Sequence, residues 1–136
     1  MEAEIEAILR LLLAAALGGV IGYQRERAGK AAGLRTHMLI CVGAALFTLA
    51  SLYGFGGSTD PSRVAAGIVT GIGFLGAGAI LHREHQRQGI VEGLTTAASI
   101  WVIAGIGLTV GVGLYLLSVV TAGIVLVVLV LPHPIR

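Results

Sequence analysis

"LTTAASIWVIAGIGLTVGVGLYLLSVVTAGIVLVVLVL", residues 94–131, runs for 38 residues without a charge. A membrane helix takes about 20 mainly apolar residues, so the stretch is too long for one ordinary span and about right for two. The glycines of "GLTVGVG" (107–113) mark a turn and predict helices at Leu94–Val110 and Leu114–Leu131; one long tilted helix is the alternative. Pro132 and Pro134 end the run, because proline removes a helix donor and clashes with the preceding turn.

Three further apolar segments precede it, at about Ile5–Tyr23, Arg35–Phe55 and Ser62–Leu81. The polar stretches "QRERAGKAAG", "GGSTDPSR" and "HREHQRQGIVEG" separate them. Charged residues make up 12% of the 136-residue chain, against roughly 25% in a soluble domain. With a mean hydropathy of +0.93, the solvent of this chain is lipid. The reading is an all-α, polytopic membrane bundle of about five helices in a single domain covering residues 1–136. The acidic start "MEAEIE" and Arg10 argue against a signal peptide, which begins positively charged.

Lys/Arg bias sets orientation. With the N-terminus outside, the cytoplasmic segments carry Arg25, Arg27, Lys30, Arg35, Arg83, Arg87 and Arg136, seven of the nine basic residues. The expected topology is N-out/C-in. In "TDPSR", Asp60 can cap the third helix with Pro61 in its first position. Glu6 and Arg10, four apart, share a face of the first helix and can pair near the outer boundary.

The third helix contains "GIGFLGAGAI" (71–80). At 100° per residue, Ala66, Gly67, Thr70, Gly71, Gly73, Phe74, Ala77 and Gly78 fall within about 160°, opposite Ile68, Ile72 and Leu75. In lipid, helices associate through close backbone approach rather than apolar burial, which favours small residues. Gly67, Gly71 and Gly78 are therefore expected to pack helix against helix, as are Gly18 and Gly22 with Ala14 at spacing four in the first helix. This predicts a tight bundle of helices one, three and four with the third central. The competing reading is a broken, ion-lining segment. Trp101 is expected to pack against a glycine face.

Polar residues gather at the cytoplasmic end. Arg25, Glu26, Arg27, Arg35, Thr36, His37, Thr95 and Thr96 form a candidate site for a partner, anion or regulator, with Lys30, His82, Arg83, His85, Arg87 and Glu92 nearby. A positively charged anchor for anionic headgroups is the plainer reading. Thr48, Ser51, Thr70, Ser99, Thr109, Ser118 and Thr121 lie within spans and can return their hydroxyl bonds to the helix backbone. No Asp or Glu lies near the middle of a span, which argues against an obvious Mg2+ path. No metal site, cofactor or catalytic residue is expected: zinc-ligand spacing, a P-loop, a dinucleotide fingerprint and GxSxG are all missing from the sequence. The lone cysteine, Cys41, cannot form an internal disulfide. A net charge of +2 gives no reason to expect nucleic acid as a partner.

"RERAGKAAGLRTHMLICVGAALF" (25–47), "DPSRVAAGIVTGIGFLGAGAIL" (60–81) and "VEGLTTAASIWVIAGIGLTVG" (91–111), in this order, resemble the membrane domain of the MgtC/SapB family. The resemblance runs from about Leu9 to Tyr115. It implies a multi-pass protein of the bacterial inner membrane, not an enzyme, linked to magnesium limitation and acid stress. It further implies a regulator of membrane energetics or ion homeostasis that binds another membrane complex, such as the F-type ATP synthase; a small Mg2+ or proton transporter or channel is the alternative. Self-association as a homodimer is expected from the small-residue faces. Many family members carry a cytoplasmic domain after the last helix, whereas this sequence stops at Arg136, so regulation through that domain is absent or the chain is truncated. Thr95 stands where members often have asparagine, and Val102 where some have cysteine, which puts functions of those two residues in doubt.

Overall fold

The uncharged run divides at Gly113, whose φ of +93° is open to glycine and strained for other residues. In the computed structural model the described residues form five helices: α1 (Glu2–Arg27), α2 (Leu34–Tyr53), α3 (Ser62–His85), α4 (Ile90–Val112) and α5 (Tyr115–Val130). The structure describes the backbone of residues 1–57, 59–85 and 90–132, with side chains for all of these except 81–85 and 90–92. The described residues form no strand.

Among the described residues, four helices are long and apolar enough to cross a membrane; α5, at 16 residues, is shorter. Helices α1 and α3 extend past their apolar segments because polar residues continue the backbone ladder. At the end of α1, Ala28 and Gly29 still bond back to Gln24 and Glu26 before Gly29 turns at φ +73°. At the start of α3, Asp60 Oδ1 accepts from the Ser62 N–H at 3.0 Å and the Ser62 hydroxyl at 2.7 Å.

Small residues decide how α1, α2 and α4 meet. A Cβ on Gly18 would lie 2.7 Å from the His37 carbonyl oxygen, and one on Gly22 would lie 2.8 Å from Leu34 Cα. From α4, Gly107 abuts the Cys41 carbonyl, and a Cβ on Gly111 would lie 2.7 Å from Thr48 Cβ. Thus α2 is held between two glycine pairs at spacing four, one on each neighbour. Ala14, Ile21, Cys41, Ala45, Ile103, Ile106 and Val110 form the core there, joined by Ala122 and Val125 of α5.

The expectation for α3 is corrected in two respects. Helix α4, which contacts all four other helices, is central, and α3 lies against it at the edge. The packed side of α3 carries Ile72 and Gly76 rather than Gly67, Gly71 and Gly78. Gly76 meets Ala97 at 3.4 Å, while Gly67, Gly71, Gly73 and Gly78 have nothing within 4 Å of an added Cβ. On this side Ile72 of α3 joins Ile100 and Ala104 of α4 in a second core cluster, with Ile68 and Ala79 of α3 packed against it. Trp101 is likewise not packed away but 61% exposed.

The outer surface is apolar, with Leu39, Phe74, Leu116 and Val127 among many exposed large side chains. A soluble protein rarely exposes continuous apolar area on this scale, whereas a bilayer covers it.

Candidate functional site

Two buried polar clusters tie the helices together, one at each end of α1. Near its C-terminal end, Arg25 is 2% exposed and its Nη2 donates to Thr96 Oγ1 of α4 at 2.7 Å. One turn further along α4, the Ser99 hydroxyl lies 2.7 Å from the Thr96 carbonyl and 3.0 Å from His37 Nε2. His37, fully buried on α2, has its Nδ1 3.0 Å from the Gly33 carbonyl. That carbonyl can only accept, so Nδ1 carries the proton. In a neutral ring Nε2 is then an acceptor, and the Ser99 hydroxyl has two acceptors to choose between, Nε2 and the Thr96 carbonyl. In a charged ring Nε2 donates to Ser99, which donates to Thr96, and all three bonds form together.

The structure therefore brings Arg25, His37 and Thr96 of the candidate residues into one buried cluster. Glu26 sits on its rim: Oε1 accepts from the Leu34 N–H at 3.2 Å and supplies the first turn of α2 with a cap. Arg27 is exposed, with Nη1 2.9 Å from the Tyr23 hydroxyl and its guanidinium 5.7 Å from that ring. Arg35 and Thr36 are exposed, and Thr95 is half-buried. The expectations for His82, Arg83, His85, Arg87 and Glu92 fall on side chains outside the described residues. Ser99 was legible only as a self-satisfied hydroxyl; its place one turn from Thr96 is the signal that links it to the cluster.

The second cluster centres on Arg10, 8% exposed. Its guanidinium pairs with Glu6, and Nε donates to the Tyr115 hydroxyl at 2.8 Å. Nη1 reaches the Gly111 carbonyl at 2.7 Å and the Tyr53 hydroxyl at 3.5 Å. The sequence shows the Glu6–Arg10 pair but not Tyr53 or Tyr115, which come from the ends of α2 and α5. Among the described residues no group of three His, Cys, Asp or Glu could hold a metal ion.

An all-helical set of membrane-spanning segments, cross-linked by buried arginines and closed by glycine contacts, defines a multi-pass membrane protein. The chain belongs to the MgtC family, whose model matches residues 11–136. It is 50% identical to "Putative magnesium transporter YhiD" of Escherichia coli K12 over 94% of this chain and 61% of that protein. Protein SrpB of Synechococcus elongatus is 44% identical over 82% of this chain and 66% of SrpB. Protein MgtC of Salmonella typhimurium is 49% identical over 78% of this chain and 43% of MgtC. The chain thus spans less than two thirds of each of these relatives. No solved structure matches it.

Proposed function

We propose that this protein is a regulator in the bacterial inner membrane that acts in magnesium homeostasis by binding another membrane complex. The observation that carries the reading is the closed core. Gly107 against the Cys41 carbonyl and Gly111 against Thr48 leave no room for an ion between α2 and α4. A regulator needs instead a surface for a partner. Phe74 is 80% exposed, and Gly73, Ala77 and Gly78 lie exposed near it on α3, a low-relief face onto which another helix can pack closely. The magnesium link rests on family membership and on the name of the YhiD relative. The topology is N-out/C-in by the basic-residue bias, and the F-type ATP synthase or a second copy of the chain are the partners to test first.

The name of the YhiD relative also favours a second reading, a small Mg2+ transporter; transport of protons is the variant to test beside it. One experiment separates them. The tagged chain is recovered from magnesium-starved cells and, in parallel, reconstituted in liposomes loaded with Mg2+- and pH-sensitive dyes. A stoichiometric membrane partner lost in F74A and G78L, with no flux, supports the regulator. Flux without a partner overturns it.

A further inference from the structure

Helices α2 and α3 touch sparingly. Near their outer ends the Ser51 hydroxyl reaches the Pro61 carbonyl at 3.3 Å. Below that point they part and leave an apolar groove of about 580 Å³, floored by Ala104 of α4. This is the size of a small-molecule site, for which ~300–1,000 Å³ is usual. Leu39, Gly43 and Phe47 form one wall and Gly67, Gly71 and Leu75 the other. The three glycines keep it open, since nothing lies within 4 Å of a Cβ built on any of them.

Arg35 begins the same row of α2, followed at spacing four by Leu39, Gly43 and Phe47. It is exposed one turn from the start of the groove, and among the described residues it makes no ion pair. A cation at headgroup level above an apolar slot matches a molecule with an anionic head and a hydrocarbon tail. We propose that the groove between α2 and α3 seats an acyl chain of an anionic phospholipid, whose phosphate is held by Arg35. A membrane-spanning partner helix fits less well. The α2 wall from Leu39 to Phe47 rises only about 12 Å, less than half of the ~30 Å hydrocarbon core that such a helix must cross.

The test uses the intact chain in nanodiscs and native mass spectrometry, with phosphatidylglycerol and phosphatidylcholine as probes. The wild type keeps phosphatidylglycerol in preference to phosphatidylcholine. Gly43→Leu and Gly71→Leu fill the groove from opposite walls and lose bound lipid of both kinds. Arg35→Gln keeps lipid but loses the preference several-fold. Gly123→Leu, an equal change on exposed α5 with open space around it, retains wild-type binding. Because the two filling variants lie on different helices, either one that melts like the wild type decides the matter. Unchanged lipid retention in such a variant overturns the proposal. So does loss of a cross-linked dimer without loss of lipid, which assigns the groove to a second copy.

Discussion

Gly107→Ala isolates the contact that closes the core. A Cβ there overlaps the Cys41 carbonyl oxygen and lies 3.0 Å from its carbonyl carbon and 2.9 Å from Ala44 Cβ. Two of the three atoms are α2 backbone, so no side chain can swing aside and the helices must separate. Overpacking of this kind costs about 1–3 kcal/mol. Replacing glycine in a helix by alanine returns about 1 kcal/mol, so the net loss is about 0–2 kcal/mol. Gly123→Ala in α5, with nothing within 4 Å, receives the propensity gain without the clash. The two variants should therefore differ by about 1–3 kcal/mol, the overpacking cost alone. Reversible unfolding in mixed micelles, titrated with SDS and followed by helical circular dichroism, measures the difference directly. Values for the two variants within ~0.5 kcal/mol of each other, the scatter of neutral surface changes, refute the argument that glycine contact sets the α2–α4 distance.

Arg10→Ala strands the buried Gly111 carbonyl and should cost about 1–3 kcal/mol in the same titration, with Tyr115→Phe losing less. Ser99→Ala removes the partner of a fully buried ring nitrogen on His37, and should destabilise by about 1–3 kcal/mol, whereas Thr36→Ala on the exposed side should be neutral. In a Cys41→Ser background, Thr59→Cys should react with an impermeant maleimide in intact spheroplasts and Ala28→Cys only after lysis; the reverse pattern inverts the topology. The Ser62 hydroxyl and N–H hold the Asp60 carboxyl below the usual aspartate range. Its capping support is therefore complete above the ordinary aspartate pKa and disappears as pH falls through the lower folded value. Asp60→Asn should flatten the acid limb of the stability profile measured from pH 6 to pH 2.

What could be read from the sequence follows from what lipid makes unambiguous. Charge and apolar length locate the spans, because a charge in hydrocarbon is costly wherever it faces. Direction around a helix is harder, since lipid-facing and protein-facing sides are both apolar. Gly67 and Gly71 look like a packing pair and border an open groove, while Gly107 and Gly111, part of an apparent turn, form the tighter contact. Small size says that a backbone can be approached, not that it is. The polar end was legible as a cluster but not in its membership. Arg35 and His37 stand two residues apart, about 200° around α2, so burial of one exposes the other. Tyr53 and Tyr115 reach Arg10 from 43 and 105 residues away, which no local pattern reveals.

The two arginine clusters share a register. Arg10 meets Gly111 and Arg25 meets Thr96, so fifteen residues along α1 match fifteen back along α4. Both intervals rise about 22 Å, as two antiparallel helices locked at both ends require. A one-turn slide of α1 along α4 would break both arginine contacts at once, so these contacts oppose sliding between α1 and α4, and Gly107 against Cys41 does the same between α4 and α2. Antiparallel order is also what alternate crossing demands of the first and fourth spans. Helix α3 is held differently, by apolar contacts with α4 and a hydrogen bond from Ser51 to the residue before its first turn. The clamped part of the molecule is thus α1, α2 and α4. Surfaces open to a ligand or a partner run along α3, in the groove it shares with α2 and on the side around Phe74.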